Sequence, residues 1–439
     1  MNDHSLALSL MLQAFEGCFT KPGFVLFLQV VHGWILCPGR HTLTRIYTLS
    51  KISVSPQSLD AYYRFFRCAK WQFAELWPLL AQQLVRRFYP TGTLPIQIDD
   101  TAFHKSGRRV EGAGWWRDAI RSTGTKVVHC FGLNLLVLTL RISPPWGGEP
   151  LGLPINLRLH RKQGPTLLDL AREMIEEVTT WFPDRDFELA GDGFFATLAG
   201  AGLSRVHLYS RMRRDAALYA PPPPKRQDKR RGRPRKHGHR LPTPQQLSQS
   251  ARTWIKTPVQ ICGQSLTRLV HVREVLWYAV CPTAMVQLVI VRDPQGKEPD
   301  DYFFTTNLQA TAAHVIETYA GRWAIEDTFR NVKQFLGGQD PQLWKGRGPE
   351  RAATFAFWLY SVIWLSYLLL PQAKPTWLIR VWYPNKSAPS FQDALAYWRR
   401  QLWREAIITK TEKSAREMDS SKSSRSRTSS FNRINWRSR

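Results

Sequence analysis

The order of predicted strands and helices between residues 94 and 209 constrains the fold more than any other feature. Strands are predicted where β-branched and aromatic residues cluster, and a helix is predicted where apolar residues recur at helical spacing. The predicted order is strand 94–98, one long or two short strands over 127–142, strand 154–159, helix 166–181, strand 187–190, a small helix, and strand 206–209. Three strands before the first long helix favour antiparallel pairing, and the following strand–helix–strand units favour parallel pairing.

This order predicts an α/β fold with a ribonuclease-H-like layout. We assign residues 94–350 to this domain and the helical pattern of residues 1–93 to a separate N-terminal region. A basic linker and a β-rich insertion occupy residues 215–308 inside the domain. A helical C-terminal region is predicted over 351–410. The stretch 411–439 is rich in Ser, Arg and Lys and is predicted to be a disordered basic tail.

The charge balance points to a polyanionic partner. The chain has 61 Lys and Arg against 34 Asp and Glu, a net charge of +27. Such a field attracts nucleic acid, and clustering of the basic residues favours this reading over a merely soluble basic protein. The densest cluster, Lys225–Arg240, follows four prolines, and we expect it to be a mobile loop that orders on DNA.

Within that cluster, Arg231, Arg233 and Arg235 form an Arg-Gly-Arg-Pro-Arg sequence. An extended segment of this kind can lie in a narrow A·T minor groove, as an AT-hook does. The alternative is a solvated basic linker that contacts any phosphate. Both readings predict DNA binding.

Other classes of protein fit less well. None of the six cysteines forms a C-x-x-C pair, so a zinc ribbon or redox dithiol is not expected, and His104 and His129 are predicted to be structural. The uncharged run 354–370 has 17 residues, fewer than the roughly 20 that a membrane span needs, which favours a core helix. The start of the chain lacks the basic residues of a secretory signal.

Candidate functional residues also lie in the helix predicted over 310–336. Four polar residues there are separated by 3, 4 and 7 positions, which places them within about 60° of one another on a helix. They are Tyr319, Arg322, Glu326 and Lys333, and Arg330 lies beside them. A carboxylate among cations and a phenol suits a phosphodiester site, and the alternative is an exposed face with ordinary ion pairs.

Two aspartates complete a candidate metal site. Asp99 and Asp192 each follow a predicted strand, where α/β sheets collect functional groups. With Glu326 they could bracket two divalent cations about 3.5–4 Å apart, and hard oxygen ligands select Mg²⁺ or Mn²⁺. Taken singly, each aspartate is equally explained as a helix cap or turn former.

These motifs resemble a known family. The spacing Tyr319-x2-Arg322-x3-Glu326-x6-Lys333 is similar to the Y-R-E-K signature of the insertion-sequence-4 superfamily of transposases. The stretches 98–101 and 191–193 resemble the strands that carry the family's two aspartates. Residues 210–215, Ser-Arg-Met-Arg-Arg-Asp, resemble the insertion-sequence-701-like branch in particular. The likeness covers residues 60 to 405.

The resemblance implies a ribonuclease-H-like enzyme with a β-rich insertion, whose triad binds two Mg²⁺. It implies that Tyr319, Arg322 and Lys333 hold phosphates of the transposon end. It also implies N-terminal helices that recognise terminal inverted repeats, a homodimer on DNA, and a cytoplasmic, nucleoid-associated bacterial protein. An aromatic residue of the insertion would stack on a flipped base, with Trp254, Trp277 and Tyr302 as candidates.

Two details of the motifs differ or stay open. The family pattern of Asp, any residue, then Thr or Ser selects Asp99, although Asp100 is adjacent and also lies near the predicted strand end. Three residues after the second aspartate, where family members often have Tyr, this chain has Phe195. The predicted activity is metal-dependent cleavage and strand transfer, and the alternative is an inactivated, DNA-binding relative.

Overall fold

The computed structural model describes residues 3–50, 57–118, 121–223, 235–370, 377 and 379–408. The chain begins with helices, as predicted. Thr20 and Ser58 cap two of these helices, because their side chains accept hydrogen bonds from the amides of Gly23 and Ala61. The helices are α1 (Asp3–Gln13), α2 (Lys21–Leu36), α3 (Leu43–Ser50), α4 (Leu59–Arg67) and α5 (Phe73–Phe88), with a 3₁₀ turn at Glu16–Cys18.

A twisted mixed sheet follows, and its first half has the predicted order. Its elements are β1 (Leu94–His104), β2 (Gly114–Arg117), β3 (His129–Ile142), β4 (Leu151–His160), α6 (Leu167–Trp181), β5 (Phe187–Gly191), a 3₁₀ helix (Gly193–Gly200) and β6 (Val206–Arg211). Strand β3 is antiparallel to β1 and β4, whereas β5 and β6 run parallel to β1. The resulting order, β4–β3–β1–β5–β6, confirms the ribonuclease-H-like α/β fold.

The β-rich insertion continues this same sheet. Its elements are β7 (Leu218–Tyr219), β8 (Arg240–Leu241), α7 (Pro244–Ser250), β9 (Ile255–Ile261), β10 (Gln264–Val275), β11 (Val286–Arg292) and β12 (Asp301–Thr305). Strand β12 pairs antiparallel with β6, with Phe304 opposite Ser210, and β11, β10 and β9 follow outward. Among the described residues the sheet therefore has ten strands, and the insertion lengthens it.

The basic run Lys225–Arg240 is only partly within the described residues. Arg231 and Arg233 lie outside them, and Arg235 is exposed. From His237 onward the chain is paired: the Gly238 amide donates to the Ala220 carbonyl, and β8 pairs with β7. The prediction of a mobile loop is therefore wrong for the last residues of the run, because a short hairpin with Tyr219 holds them.

The predicted helix over 310–336 is two helices, and treating it as one was wrong. Helix α8 (Ala312–Ala320) and helix α9 (Trp323–Gln334) are separated at Gly321 and Arg322. Two side chains of the sheet take helix carbonyls as acceptors: Arg141 donates to the carbonyl of Thr318 at 3.2 Å, and Gln97 donates to that of Gly321. These bonds compete with the helical ladder and tighten the chain into a 3₁₀ turn at the junction.

The long C-terminal helix lies in the core. Helix α10 (Gly348–Leu368) contains most of the apolar run 354–370, and nearly all of it is buried. Its Trp358 packs on Phe15 and Phe27 of the N-terminal region, and its Ser361 donates to the Pro154 carbonyl of β4. Within the described ranges, no helix combines the length and apolar character that crossing a membrane requires. A last helix, α11, spans 391–408.

We predict that Gly132→Ala strongly destabilises the sheet. Gly132 lies opposite His104, and an added Cβ would approach the Phe103 carbonyl oxygen to 2.0 Å, so the backbone would have to shift. The expected loss in the free energy of unfolding is about 3 kcal/mol, measured by urea denaturation. Gly124→Ala is the control, because nothing lies within 4 Å of its added Cβ. Equal denaturation midpoints for the two variants would contradict the close approach.

Candidate active site

Asp99 and Asp100 lie inside a strand and not after it, which corrects the predicted strand end. Strand β1 continues to His104, with Val137 opposite Asp99 and Leu136 opposite Asp100. Neighbouring residues of a strand point to opposite faces. Asp99 therefore shares the face of Gln97, which contacts the α8–α9 junction, whereas Asp100 hydrogen-bonds Asn134. The geometry favours Asp99 over Asp100 as the group facing α9.

Asp192 lies beside Asp99 because β5 runs parallel to β1. Gly191, the last residue of β5, is opposite Ile98. The Asp192 carboxylate caps the following 3₁₀ helix by accepting from the Phe194 amide at 2.9 Å, and its carbonyl accepts from the Ser210 hydroxyl at 2.8 Å. Asp192 therefore forms the helix cap that was its alternative role in the sequence analysis. It also lies close to Asp99.

The Arg322 guanidinium joins the other two predicted acidic residues. Its Nη1 donates to Asp99 Oδ2 at 2.8 Å and its Nη2 donates to Glu326 Oε1 at 2.9 Å. The Arg322 side chain is only 7% exposed, and the rings of Tyr319 and Trp323 flank it. The Arg322 guanidinium therefore links strand β1 to helix α9, because both carboxylates accept hydrogen bonds from it.

One atom of this arginine is unsatisfied. Its Nε is buried and has no hydrogen-bond acceptor among the described residues. A buried donor without an acceptor costs about 1–3 kcal/mol. The guanidinium thus has one further donor for an acceptor, beside its bonds to Asp99 and Glu326.

The acidic groups of the site repel one another. The pKa of Asp99 is raised to about 7, chiefly by burial and further by the charges of Asp192 and Asp100, with Arg322 acting in the opposite direction. Burial and Asp192 also raise the pKa of Asp100. Carboxylates held together in this way favour a bound cation, and all their donor atoms are hard oxygens of the kind that Mg²⁺ prefers. The donor set therefore fits divalent metal.

The three carboxylates do not surround one point. Asp192 lines a cavity of about 460 Å³ with Arg211 and Tyr319, whereas Glu326 lines a neighbouring cavity of about 860 Å³. Trp323 borders both cavities. Among the residues that the structure describes, the group whose three ligand atoms all lie within 4.8 Å of one another is His104, Asp118 and Cys130. None of the three carboxylates belongs to that group. Arg322 occupies the space between Asp99 and Glu326.

The predicted phosphate contacts are differently exposed. Tyr319 is buried against the ring of Phe303, with centroids 4.7 Å apart, and burial lowers the pKa of Lys333. Arg330 is 59% exposed and pairs with Asp327 at 2.7 Å. Tyr319 and Arg322 are thus buried and Lys333 is half-buried, whereas Arg330, beside them, is the most exposed of the four.

The aromatic residues singled out in the sequence lie in different environments. Trp277 is buried and packs edge-on against Phe304, and Phe195 is buried in the core. Trp254 is half-buried under the guanidinium of Arg292, and Tyr302 is half-buried too.

Sequence reasoning missed two exposed aromatics beside the site. Phe194 lies two residues after Asp192 and Trp323 directly follows Arg322, and the two residues are 53% and 57% exposed. Position near a motif residue was the available signal, but exposure cannot be read from sequence spacing.

Comparison with family models identifies the family. A model described as "DDE superfamily endonuclease" matches residues 14–281, more than half of the chain, and includes Asp99 and Asp192. A model described as "Archaeal putative transposase ISC1217" matches residues 273–348, which include Glu326. No curated protein matches the chain. The chain belongs to the DDE superfamily of endonucleases, enzymes that generally use divalent metal ions.

We predict that Arg322→Gln destabilises the metal-free protein. It leaves the buried Asp99 carboxylate without its cation, which lowers the free energy of unfolding in EDTA by about 3 kcal/mol. Added Mg²⁺ should restore part of the loss. Arg330→Gln removes only an exposed pair and should stay within about 0.5 kcal/mol of the wild type. Equal losses in the two variants would show that the Arg322 bridge contributes nothing to stability.

We also predict a pH-dependent difference between the wild type and Asp99→Asn in EDTA. The folded-state pKa of Asp99 is about 7, above the roughly 3.9 of an unfolded aspartate, so the folded state binds the proton more tightly. Wild-type stability relative to the variant should therefore fall as pH rises from about 4 to about 7, by on the order of 2–4 kcal/mol. Parallel stability curves from chemical denaturation would disprove the raised pKa.

Proposed function

We propose that this endonuclease is a DNA transposase that cleaves the ends of its element and joins them to target DNA. The observation that supports this most is the convergence of Asp99 and Glu326 on Arg322, with Asp192 on the adjacent strand. Two strands and one helix thus supply three acidic residues to one region of a ribonuclease-H-like sheet. The second family match, to a transposase, supports the transfer reaction as well as cleavage.

In this proposal Asp99, Asp192 and Glu326 hold two Mg²⁺ ions, and Mn²⁺ can replace them. When bound, the ions polarise the scissile phosphate and lower the pKa of the attacking water. Asp99 is fixed by the sheet ladder and Asp192 by its cap, so the two strand ligands are pre-oriented. Glu326 is 40% exposed and has the freedom to adjust.

We propose that Arg322 changes partners when the site loads. In the described state its charge neutralises Asp99 and Glu326, the two groups that would bind metal. With metal bound, the guanidinium would be released from Asp99 and Glu326 and would donate to a DNA phosphate, which would also give the unpaired Nε an acceptor. Arg330 and Lys333, on the same helix, extend this phosphate-binding surface.

The substrate proposed is double-stranded DNA with terminal inverted repeats, together with target DNA. The net charge of +27 supplies general affinity, and Arg231, Arg233 and Arg235 add a basic segment. The N-terminal helices recognise the repeat, and two chains act together because two ends must be joined. Membership of the insertion-sequence-4 superfamily, and of its insertion-sequence-701-like branch, is part of this proposal.

The test begins with the DNA that flanks the gene, where inverted repeats identify the substrate. A labelled repeat is incubated with the protein and Mg²⁺ or Mn²⁺, and nicking at the repeat end is measured. Asp99→Asn, Asp192→Asn and Glu326→Gln should each lower the nicking rate by about 1000-fold while DNA binding persists. Asp327→Asn, on the next position of α9, is the matched control and should stay near the wild-type rate.

Two results would refute parts of the proposal. If Asp100→Asn abolishes nicking and Asp99→Asn does not, the first ligand is misassigned. If the wild-type protein binds the repeat tightly but does not nick it with either metal, the chain is a DNA-binding relative without cleavage activity.

A further inference from the structure

We propose that His104, Asp118 and Cys130 form a zinc site distinct from the carboxylates of the active site. One nitrogen, one carboxylate oxygen and one sulfur from these side chains all lie within 4.8 Å of one another. The three residues come from three segments: the end of β1, the residue after β2, and the start of β3. The fold thus brings together three ligand residues from the segment 104–130. The sequence analysis did not predict this group, because the cysteine spacing showed no zinc motif and His104 was expected to be structural.

The strand register explains why these side chains meet. His104 is opposite Gly132, and Cys130 lies two residues before Gly132, so His104 and Cys130 project from one face of the sheet. Trp116 is opposite Cys130, and Asp118, two residues later, continues the ladder by donating its amide to the Val128 carbonyl. Gly132, which lies between them on this face, has no side chain, and the Phe103 carbonyl approaches it closely.

The donor set selects zinc over magnesium. Zn²⁺ binds thiolate, imidazole and carboxylate at about 2.0–2.3 Å, which places neighbouring ligand atoms of a tetrahedron roughly 3.3–3.8 Å apart. Donor atoms already within 4.8 Å need only small side-chain adjustments. Mg²⁺ prefers oxygen ligands alone, so the two kinds of site in this protein take different metals. With three protein ligands, the fourth position is left for water.

Burial supports a fixed site with one accessible ligand. Cys130 is 6% exposed and Asp118 is 9% exposed, whereas His104 is exposed. Two buried ligands lie on paired strand segments and hold their positions, and the exposed imidazole can close over the ion from the solvent side. Replacement of the exposed histidine therefore tests the site with little risk to folding.

Two cations lie near the cluster and bear on its metal affinity. Arg121 Nε is 3.6 Å from Asp118 Oδ2, and the charge of Lys333 acts on both Asp118 and Cys130. Both cations favour the thiolate form that zinc requires, but they also repel a dication.

The test measures zinc binding directly and requires neither DNA nor enzymatic activity. The full-length protein is purified without a polyhistidine tag, stripped with a chelator and titrated with Zn²⁺ and with Co²⁺ as a spectroscopic probe. The wild type should bind one Zn²⁺ per chain at this site and show a thiolate-to-cobalt charge-transfer band. Mg²⁺ in excess should not displace the cobalt.

Variants assign the ligands. His104→Ala should weaken zinc binding by at least about 100-fold, and Cys130→Ser should remove the charge-transfer band. Cys281→Ser is the matched control, because that thiol is also buried but hydrogen-bonds the Ala199 carbonyl of the 3₁₀ helix that follows β5. A band that persists in Cys130→Ser, or unchanged affinity in His104→Ala, would overturn the site.

Discussion

The two hydrogen bonds that Arg322 donates to Asp99 and Glu326 determine how the helices α8 and α9 meet the sheet. An isolated buried guanidinium would be costly, and so would a buried aspartate beside two others. The carboxylates offset the cost of burying the guanidinium, and the guanidinium offsets the cost of burying Asp99. The two hydrogen bonds also fix the distance between the strand and the helix. The raised pKa of Asp99 shows that the compensation is incomplete, which is the condition under which a stronger cation would be accepted.

The rest of the fold keeps that junction in place. Gln97 and Arg141 hold the carbonyls at the end of α8, and the added Cβ of any larger residue at Gly321 would lie 2.5 Å from Arg141. On the other side, α10 fills the space between α9 and the N-terminal helices with closely packed aromatics. A helix that is buried on all sides gives α9 a rigid support, so the acidic groups are positioned by packing and not by one another alone.

Much of this architecture was accessible from the sequence. The β-branched stretches, the capped helix at Thr166 and the strand order each have strong local signals, and the sheet of β1 to β6 agrees with them. The break at Gly321 was not accessible from the sequence, because it depends on hydrogen bonds from Arg141 and Gln97, which are 177 and 224 residues away from the carbonyls that they bond. The extension of β1 through Asp99 was missed for a similar reason: two adjacent aspartates look like a strand end until a partner strand pairs with them. The ligand atoms of His104, Asp118 and Cys130 also meet only through pairing.

The pairing of β12 with β6 has a mechanical consequence. Strands joined by an unbroken ladder of hydrogen bonds move as one plate, so β9, at the far edge of the insertion, is connected in series to β6. On β6, Ser210 holds the Asp192 carbonyl at 2.8 Å. A displacement of the outer strands is therefore transmitted through the sheet to Asp192, and the Ser210 hydroxyl is the last contact in that series.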